Sequence, residues 1–304
     1  MSIRVGVIGA GTIGRTHLAA YREAGAVITG VTDVDRASAE RAAAEFGTTA
    51  HDDLAALLDS GVQAVSVCTP PAGHAGPAIA ALRAGVAVLC EKPLARTEAE
   101  CTEMITAARA GGALLTVGFC HRFQPEVEAI RDAIEAGRIG TVLGFRNRFS
   151  GPLDRVESSW FARPEVSGGG VLMDTCVHSV DLFRYLIGEV GDVRALTATT
   201  ATDRGPALAV EDSAVLSLRS AAGVLGVIEA SWRTAPGEAV ITISGTRGRL
   251  HFDYAAPRLT LTDDAGTETV LDVPAGNRFV RQAGHFLDCV AGRAEPRVTA
   301  EDGA

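Results

Sequence analysis

The segment Gly9-x-Gly11-x-x-Gly14 constrains the fold of this chain more than any other short stretch. It follows residues 3–8, an apolar run that predicts a buried strand, and it precedes residues 13–24, whose periodicity predicts a helix. In such a turn the glycines permit a sharp bend, close approach of a pyrophosphate and close packing of helix on strand. The spacing alone is a weak signal in a chain with 34 glycines, and its context makes it a prediction of dinucleotide binding.

Asp33 ends the next predicted strand, residues 27–33. A carboxylate at this point accepts hydrogen bonds from both ribose hydroxyls of a dinucleotide and repels a 2′-phosphate. The sequence therefore predicts NAD in preference to NADP, although Arg36 lies nearby and an arginine can accommodate the extra phosphate. The cofactor-binding residues expected in this part of the chain are Gly9, Gly11, Thr12, Ile13, Gly14 and Asp33.

Strands and helices alternate through the first part of the chain. Predicted strands cover residues 3–8, 27–33, 62–68, 86–90 and 113–119, and predicted helices cover 13–24, 36–46, 75–84 and about 97–110. This alternation is typical of an α/β fold with a doubly wound parallel sheet, here over residues 1–122. The motifs TPPAGH (69–74), EKP (91–93) and CHRF (120–123) follow three of the strands. Ligands of this fold bind beyond the carboxyl ends of the strands, so these motifs are candidate site residues.

Lys92 lies directly beyond a buried strand, and Pro93 restricts it to extended geometry. A lysine there can donate to a substrate hydroxyl or polarise a carbonyl, and the alternative interpretation is an ordinary solvated loop lysine. For His74, a capping or packing role is favoured over a catalytic one.

The second half, residues 123–304, has a different pattern. Runs with a period of two or rich in β-formers predict strands at 142–149, 213–220, 223–233, 239–245, 248–254 and 258–264. We expect a mostly antiparallel open sheet with one buried face, forming a substrate domain that meets the first domain at a cleft. Self-association would cover the other face of the sheet.

The segment GGGVLMDTCVHSVD, residues 168–181, places Asp174 and His178 four residues apart. On an α-helix this spacing puts the carboxylate and the imidazole on one face. Three interpretations are open at this point: a polar patch, a catalytic pair, or a metal pair with Asp181 as third ligand. A lysine and a dinucleotide beyond the strand ends favour the catalytic pair and make a metal unnecessary.

Composition excludes several classes of function. The chain has 304 residues, a net charge of −9 and no clustered cations, which disfavours nucleic acid and anionic membrane surfaces as partners. No apolar run reaches the length of a membrane span, and the N-terminus does not suit a signal peptide. The six cysteines show no framework spacing, so a reducing cytoplasm is the expected location.

The motifs together resemble the glucose–fructose oxidoreductase / inositol dehydrogenase / MocA (Gfo/Idh/MocA) family. The resemblance covers nearly the whole chain and rests on GAGTIG (9–14), TPPAGH (69–74), CEKPLA (90–95), VGFCHRF (117–123) and GGGVLMDTCVHSVD (168–181). It implies an N-terminal Rossmann domain, a C-terminal α/β domain with an open sheet, and a homodimer or homotetramer formed through that sheet. It also implies an enzyme that transfers a hydride between NAD(P) and a secondary alcohol or ketone of a polyol, sugar or cyclitol.

The resemblance assigns roles to particular residues. Lys92, Asp174 and His178 take the family's catalytic positions, with Asp174 and His178 also touching the substrate. The residues that would line the nicotinamide half of the cofactor are Thr69, Pro70, His74, Glu91 and Lys92. His121 and Trp160 fall in segments similar to the substrate wall of the family.

Two departures from the family pattern and two rival functions accompany the resemblance. The family's usual final helix, which packs near the N-terminal domain, is expected to be missing, and Cys176 stands where glycine is common. The rivals are a glycosidase that uses NAD for transient oxidation and a non-catalytic dinucleotide-dependent sensor.

Overall fold

The computed structural model describes residues 2–153, 156–203 and 205–304. Its contacts divide the chain into two compact units. The first comprises the residues up to 120 together with 277–304, and the second comprises 121–276. No helix in these described ranges combines the length and the apolar character that a membrane crossing requires.

The first unit contains, among its described residues, a six-stranded sheet in which every neighbouring pair is parallel. Its strands are β1 (Arg4–Ile8), β2 (Val27–Thr32), β3 (Thr49–Ala50), β4 (Ala64–Val67), β5 (Ala87–Cys90) and β6 (Leu115–Val117). The helices between them are α1 (Thr12–Glu23), α2 (Arg36–Phe46), α3 (Leu54–Asp59), α4 (Ala75–Arg83) and α5 (Glu98–Gly111). The strand order β3-β2-β1-β4-β5-β6 reverses direction between β1 and β4, and a doubly wound sheet binds its ligand beside such a reversal. The predicted doubly wound fold is confirmed.

The ends of these helices follow from local side-chain chemistry. Asp35 caps α2 by accepting from the Ala37 N–H (3.2 Å), and Asp53 caps α3 by accepting from the Ala56 N–H (2.8 Å). Such caps satisfy backbone donors that the helix itself leaves without partners. Helix α2 ends at Gly47, whose φ of +66° favours glycine.

The second unit is built on an eight-stranded sheet in the order β14-β13-β12-β11-β7-β10-β9-β8. The strands are β7 (Val142–Ser150), β8 (Val190–Ala198), β9 (Ser213–Ser220), β10 (Leu225–Ser231), β11 (Glu238–Gly245), β12 (Gly248–Asp253), β13 (Arg258–Asp263) and β14 (Glu268–Val270). Its helices are α6 (Pro125–Glu135), α7 (Pro164–Ser167) and α8 (Val177–Leu186). All neighbouring strands are antiparallel except β7 and β10, which confirms the predicted mostly antiparallel sheet. The pairs Phe145–Phe183 and Leu216–Ile228 belong to the core that the helices form with one face of this sheet.

Helix α9 (Arg278–Val290) packs on the first unit, and the sequence analysis placed no helix there. Its buried residues Ala283, Phe286 and Leu287 join the hydrophobic core around β1 and α1. The polypeptide beyond α9 stays with the same unit, because the Thr116 hydroxyl donates to the Val298 carbonyl (2.6 Å). The contacts thus group residues 277–304 with the first unit, whereas the sequence analysis assigned them to the second domain. That the family's usual final helix is missing stays a prediction.

Truncation of Phe286 to alanine should lower the free energy of unfolding by about 3–5 kcal/mol, because its ring is 2% exposed and its removal leaves a cavity. Denaturant unfolding followed by circular dichroism measures the change. Arg281→Ala, at an exposed position of the same helix, is the matched control and should change stability little. Equal stability of the two variants would show that α9 is not part of the first unit's core.

Candidate active site

The glycine turn after β1 has the shape that a pyrophosphate requires. Gly9 has a φ of +99°, and a Cβ there would lie 2.7 Å from the Cys68 carbonyl oxygen. A Cβ at Gly14 would overlap the Gly9 carbonyl oxygen, so only glycine lets α1 pack so close to the strand. At Gly11, which precedes the first residue of α1, a Cβ would have no described heavy atom within 4 Å. The space in front of the helix N-terminus is therefore open, and the N–H groups there suit a phosphate.

Asp33 supports this turn from the end of β2. One carboxylate oxygen accepts from the Ala10 N–H at 2.6 Å, and the other accepts from the Asp35 N–H at 2.8 Å. A carboxylate oxygen has two lone pairs, so both oxygens can still accept from a ribose hydroxyl. The residues present therefore fit the adenosine ribose of a dinucleotide.

Arg36 is the residue whose guanidinium could accommodate the 2′-phosphate of NADP. In the structure this guanidinium forms ion pairs with two carboxylates. Its Nε contacts the Glu40 carboxylate at 2.9 Å, and its Nη1 pairs with Asp52. These contacts raise the pKa of Arg36, with the Glu40 hydrogen bond as the largest cause. The Arg36 guanidinium thus points to the carboxylates of Glu40 and Asp52 on the surface of the first unit.

The loop after β4 is joined to the loop after β5 by His74. Its Nε2 lies 2.8 Å from the Thr69 carbonyl oxygen and its Nδ1 lies 2.8 Å from the Pro93 carbonyl oxygen. Burial lowers the pKa of His74, and the two carbonyl contacts oppose that shift. The Thr69 hydroxyl is buried and has no hydrogen-bond partner within the described part of the chain, which suits a residue that awaits a ligand. His74 was predicted to have a capping or packing role, and in the structure its ring connects the two loops through the carbonyl groups of Thr69 and Pro93.

Lys92 follows β5 and is half-buried, and the peptide bond to Pro93 is cis. It is also the single lysine of a chain with 28 lysines and arginines in total, a signal that the sequence analysis overlooked. Its neighbour Glu91 is 6% exposed, with its carboxylate accepting from the Lys92 N–H at 3.2 Å. Burial alone would raise the pKa of Glu91, but the His17 hydrogen bond and the charge of Lys92 oppose burial, and the net effect lowers it.

In the second unit the triple glycine packs against Glu211. A Cβ at Gly170 would overlap the Glu211 carbonyl oxygen, which accounts for glycine at that position. The Glu211 carboxylate accepts from the N–H groups of Gly170 (2.9 Å) and Leu172 (3.0 Å), and its carbonyl accepts from Val171 (2.9 Å). Glu211 thereby caps the first turn of the segment that carries Asp174 and His178. Its negative charge also stabilises this end of the segment through a favourable interaction with the helix dipole.

Asp174 lies in a π-helical turn, Leu172–Cys176, that runs directly into α8. The wider turn changes the i, i+4 stacking that an uninterrupted α-helix would give Asp174 and His178. The Asp174 carboxylate accepts from the Thr175 hydroxyl (3.1 Å), which in turn accepts from the Trp232 indole N–H (3.3 Å). This chain of hydrogen bonds fixes the orientation of the carboxylate.

His178, in the first turn of α8, packs against the ring of His121 with centroids 4.5 Å apart. The His121 Nδ1 is 2.9 Å from the Tyr254 hydroxyl, and the ring of Phe149 lies 5.3 Å from that of His121. The structure thus brings together two predicted site residues, and it adds Tyr254 from the end of β12. A partly exposed imidazole among aromatic rings is oriented by its surroundings and can exchange a proton with a ligand.

Trp160 stacks on Phe161 with ring centroids 3.9 Å apart. Phe161 meets Trp232 edge-on at 6.0 Å, and Trp232 is the residue that donates to Thr175. Trp160 is therefore connected through two rings to the hydrogen bonds that orient Asp174, and its place in a substrate wall stays a prediction.

Asp181, the third ligand in the metal interpretation, is engaged elsewhere. Its carboxylate is 2% exposed and forms a bidentate ion pair with Arg122, with contacts of 2.6 to 3.1 Å. An arginine held this way competes directly with any cation for the carboxylate. The donor set proposed for a metal at Asp174 and His178 is thus reduced to those two residues.

Comparison with known proteins gives the family. Residues 3–119 match the Gfo/Idh/MocA oxidoreductase family with its NAD-binding Rossmann fold, and residues 127–251 match the Gfo/Idh/MocA C-terminal domain. Among curated relatives, 1,5-anhydro-D-fructose reductase from Ensifer adhaerens is 31% identical over 308 residues, covering 99% of this chain and 92% of the relative. Myo-inositol 2-dehydrogenase from Thermotoga maritima is 29% identical over 323 residues, with coverage of 99% and 92%.

A solved structure gives the same result. Levoglucosan dehydrogenase in complex with NADH and levoglucosan superimposes on the chain with a TM-score of 0.91 at 27% identity, covering 100% of this chain and 93% of that chain. The resemblance stated from the motifs is confirmed. The chain belongs to the Gfo/Idh/MocA family of oxidoreductases, and its first unit is an NAD-binding Rossmann domain.

Proposed function

We propose that this oxidoreductase is a dehydrogenase/reductase that interconverts a secondary alcohol and a ketone on a neutral sugar or cyclitol. The observation that carries the proposal is the arrangement at the start of α8, where a carboxylate fixed by Thr175 and an imidazole packed on His121 occur within one helical segment. Proton transfer to and from a hydroxyl needs such groups.

In this proposal the nicotinamide, when bound, supplies the hydride chemistry, and the side chains handle the proton and the orientation of the substrate. His178 takes the hydroxyl proton in oxidation and returns it in reduction, because an imidazole has a reference pKa of about 6.5, close to working pH. Asp174 accepts a hydrogen bond from a substrate hydroxyl and favours protonated His178. Lys92 donates to the reacting oxygen and so favours its alkoxide character.

A neutral polyhydroxy substrate is supported by two observations. The relatives named above act on an anhydrofructose and on an inositol, and the similar solved structure contains levoglucosan. In the second unit the buried guanidinium of Arg122 is paired with Asp181, and that of Arg233 is paired with Asp212 at 3.2 Å. Cations neutralised in this way are poor partners for a phosphate or carboxylate on a substrate.

We propose NAD as the preferred cofactor over NADP. The Asp33 carboxylate at the end of β2 repels a 2′-phosphate, and Arg36 is held by Glu40 and Asp52. The solved relative in its NADH complex supports the same choice.

The test is a panel of myo-inositol, levoglucosan, 1,5-anhydro-D-fructose and related keto sugars with NAD(H) and NADP(H), followed by nicotinamide absorbance. Turnover of at least one neutral sugar or cyclitol, faster with NAD(H), supports the proposal. Tight NADH binding with no turnover on the panel favours a sensor. Release of sugar from a glycoside without accumulation of NADH favours a glycosidase.

We also propose that the chain forms a homodimer or homotetramer through the outer face of the second unit's sheet. Apolar side chains stand exposed there: Leu196 is 78% exposed, Val215 45%, Leu225 62% and Val227 37%. Leu196 and Val215 are cross-strand partners, so the exposed side chains are contiguous across β8 and β9. A contiguous apolar patch on a sheet is typical of a surface that another copy covers.

A reducing compartment, the cytoplasm, is the proposed location of the protein. The six cysteines are free thiols, and five of them are buried. Burial raises the pKa of Cys120 and Cys176 to about 12, so these thiols remain protonated and unreactive.

Replacement of His178 by alanine should reduce turnover by roughly 10²–10⁴-fold, because the proton would lose its acceptor, while NADH binding persists. Steady-state assays with the best panel substrate and fluorescence titration with NADH separate the two effects. His251→Ala is the matched control, since His251 lies on β12 with its Nδ1 2.9 Å from the Thr242 hydroxyl. Wild-type turnover of His178→Ala would remove His178 from the mechanism.

Gly11→Ala should weaken NADH binding about tenfold or more without changing the unfolding midpoint, since the added methyl group would occupy space open to the pyrophosphate and touch no protein atom nearby. Gly14→Ala is the contrasting variant and should lose stability as well, because its Cβ would overlap the Gly9 carbonyl. NADH titration and thermal unfolding give the two readouts. Unweakened binding by Gly11→Ala would place the dinucleotide elsewhere.

The double variant Val215→Arg/Val227→Arg should convert the oligomer into a monomer, because two cations would be buried without partners in the proposed interface. Sedimentation velocity measures the change in mass. Val27→Arg, which replaces a 49% exposed valine of the first unit, is the control and should leave the mass unchanged. An unchanged oligomer in the double variant would exclude this face.

A further inference from the structure

The first unit contains a buried run of four polar side chains that ends next to Lys92. The Tyr21 hydroxyl lies 2.7 Å from the Ser66 hydroxyl, which lies 2.9 Å from the Nδ1 of His17. The Nε2 of His17 lies 3.0 Å from the Glu91 carboxylate. None of the four residues is more than 6% exposed. Neither the dinucleotide turn nor the proposed proton transfer uses His17, Tyr21 or Ser66.

The chemistry of the two ends gives this run a direction. Burial raises the pKa of Tyr21, so its hydroxyl keeps its proton and can donate, whereas the ionised Glu91 carboxylate can only accept. One set of donors satisfies every group: Tyr21 donates to Ser66, Ser66 donates to the Nδ1 of His17, and the Nε2–H of His17 donates to Glu91. All the donors therefore point toward the carboxylate.

The protein makes room for the charge at the end of the run. A Cβ at Gly118 would lie 2.7 Å from Oε1 of Glu91, so the residue after β6 has to be small. Burying an ionised carboxylate costs free energy because the charge loses its hydration, so such a group normally occurs only where it is paired and hydrogen-bonded. Glu91 has both kinds of partner, with His17 on one oxygen and the Lys92 N–H on the other.

We propose that Tyr21, Ser66, His17 and Glu91 form a positioning device for Lys92. The device holds a buried negative charge one residue before the lysine, fixes the lysine backbone, and favours the ammonium form of its side chain. It rests on the proposed function only in that Lys92 serves the reacting oxygen there. The four residues touch no reacting atom and act through Lys92.

Other titratable groups near Glu91 do not compete for this role. They are His17 and Tyr21 from α1, Cys68 and His74 from the β4 end, Cys90 from β5, and Cys120 after β6. Burial raises the pKa of Cys68 and Cys90, and the charge of Glu91 raises it further. These thiols stay neutral, so they add no negative charge to that of the Glu91 carboxylate.

The test uses the fact that Lys92 is the single lysine of the chain. Trace acetylation of the intact protein with acetic anhydride, over a pH series from about 7 to 12 and read by mass spectrometry, gives the midpoint at which the lysine becomes a free amine. Glu91→Gln keeps the shape and removes the charge, so the midpoint should fall by about one pH unit. An unchanged midpoint in folded Glu91→Gln overturns the proposal.

His17 provides a second pair of variants. His17→Phe removes the donor to Glu91 and should also shift the labelling midpoint, whereas His17→Gln retains an N–H donor and should restore the wild-type value. Thr116→Val is the control, because it deletes a different buried hydrogen bond of the same unit, the one to the Val298 carbonyl. A shift in Thr116→Val equal to that in His17→Phe would mean that general loosening is responsible, and it would overturn the proposal.

The labelling uses neither substrate nor NADH, so its outcome is independent of the activity panel. If wild-type protein turns over no panel substrate but the Glu91→Gln midpoint moves, the proposed function fails and the positioning device stands. If the panel gives turnover and the midpoint does not move, the reverse holds. Where both succeed, the alkaline limb of the pH–rate profile should move with the labelling midpoint, because the same ammonium group governs both.

Discussion

The direct contact between α1 and β1 at Gly14 is the constraint on which the first unit depends. Since a side chain there would overlap the Gly9 carbonyl, the helix lies against the strand with nothing between them. Residues three and seven positions further along share that face of the helix, which brings the rings of His17 and Tyr21 into the interior. They reach Ser66 on β4 and Glu91 at the end of β5. The glycine that shapes the nucleotide turn therefore also determines which polar groups lie next to Lys92.

Much of the first unit could be predicted because its information is local. Strands β4, β5 and β6 are buried along their whole length and read as mostly apolar runs, and helices α2, α3 and α5 each have a side-chain cap at their start. The motifs beyond the strand ends stand out for the same reason, and the roles assigned to their residues stay predictions. The sequence does not show in which direction a side chain points. Glu91 is predicted to line the nicotinamide, and in the structure its carboxylate points into the first unit and contacts His17.

Helix α9 illustrates a second limit. Its apolar residues Phe279, Ala283, Phe286 and Val290 recur with helical spacing, so the periodic signal was present in the sequence and was overlooked. Periodicity identifies the face that is buried but not the surface it is buried against. That surface is the core of the first unit, more than two hundred residues earlier in the chain, and its identity depends on contacts of long sequence separation.

The second unit shows the same limit at the site itself. The pattern of Asp174 and His178 was visible, but the groups that orient them were not, because Glu211, Trp232 and Tyr254 come from strands or turns far along the chain. The π-helical turn at 172–176 was also unforeseen, since its residues carry no mark that distinguishes them from an α-helical run. A four-residue spacing predicts a shared face only in a regular α-helix. The orientations of Asp174 and His178 therefore depend on the contacts that each side chain makes, with Thr175 and with His121.

The use of lysine at position 92 sharpens the interpretation of the first unit. Every other basic side chain of the Lys/Arg class in this chain is an arginine, so the composition offers no general preference for lysine. A guanidinium is planar, always charged and suited to forked contacts, whereas an ammonium is a compact group that can give up and regain a proton when its surroundings demand it. A position that only needed positive charge beside the Glu91 carboxylate would be served by arginine as well. The single lysine therefore supports the proposal that the protonation state matters at position 92, where the buried Glu91 carboxylate directly precedes it in the chain.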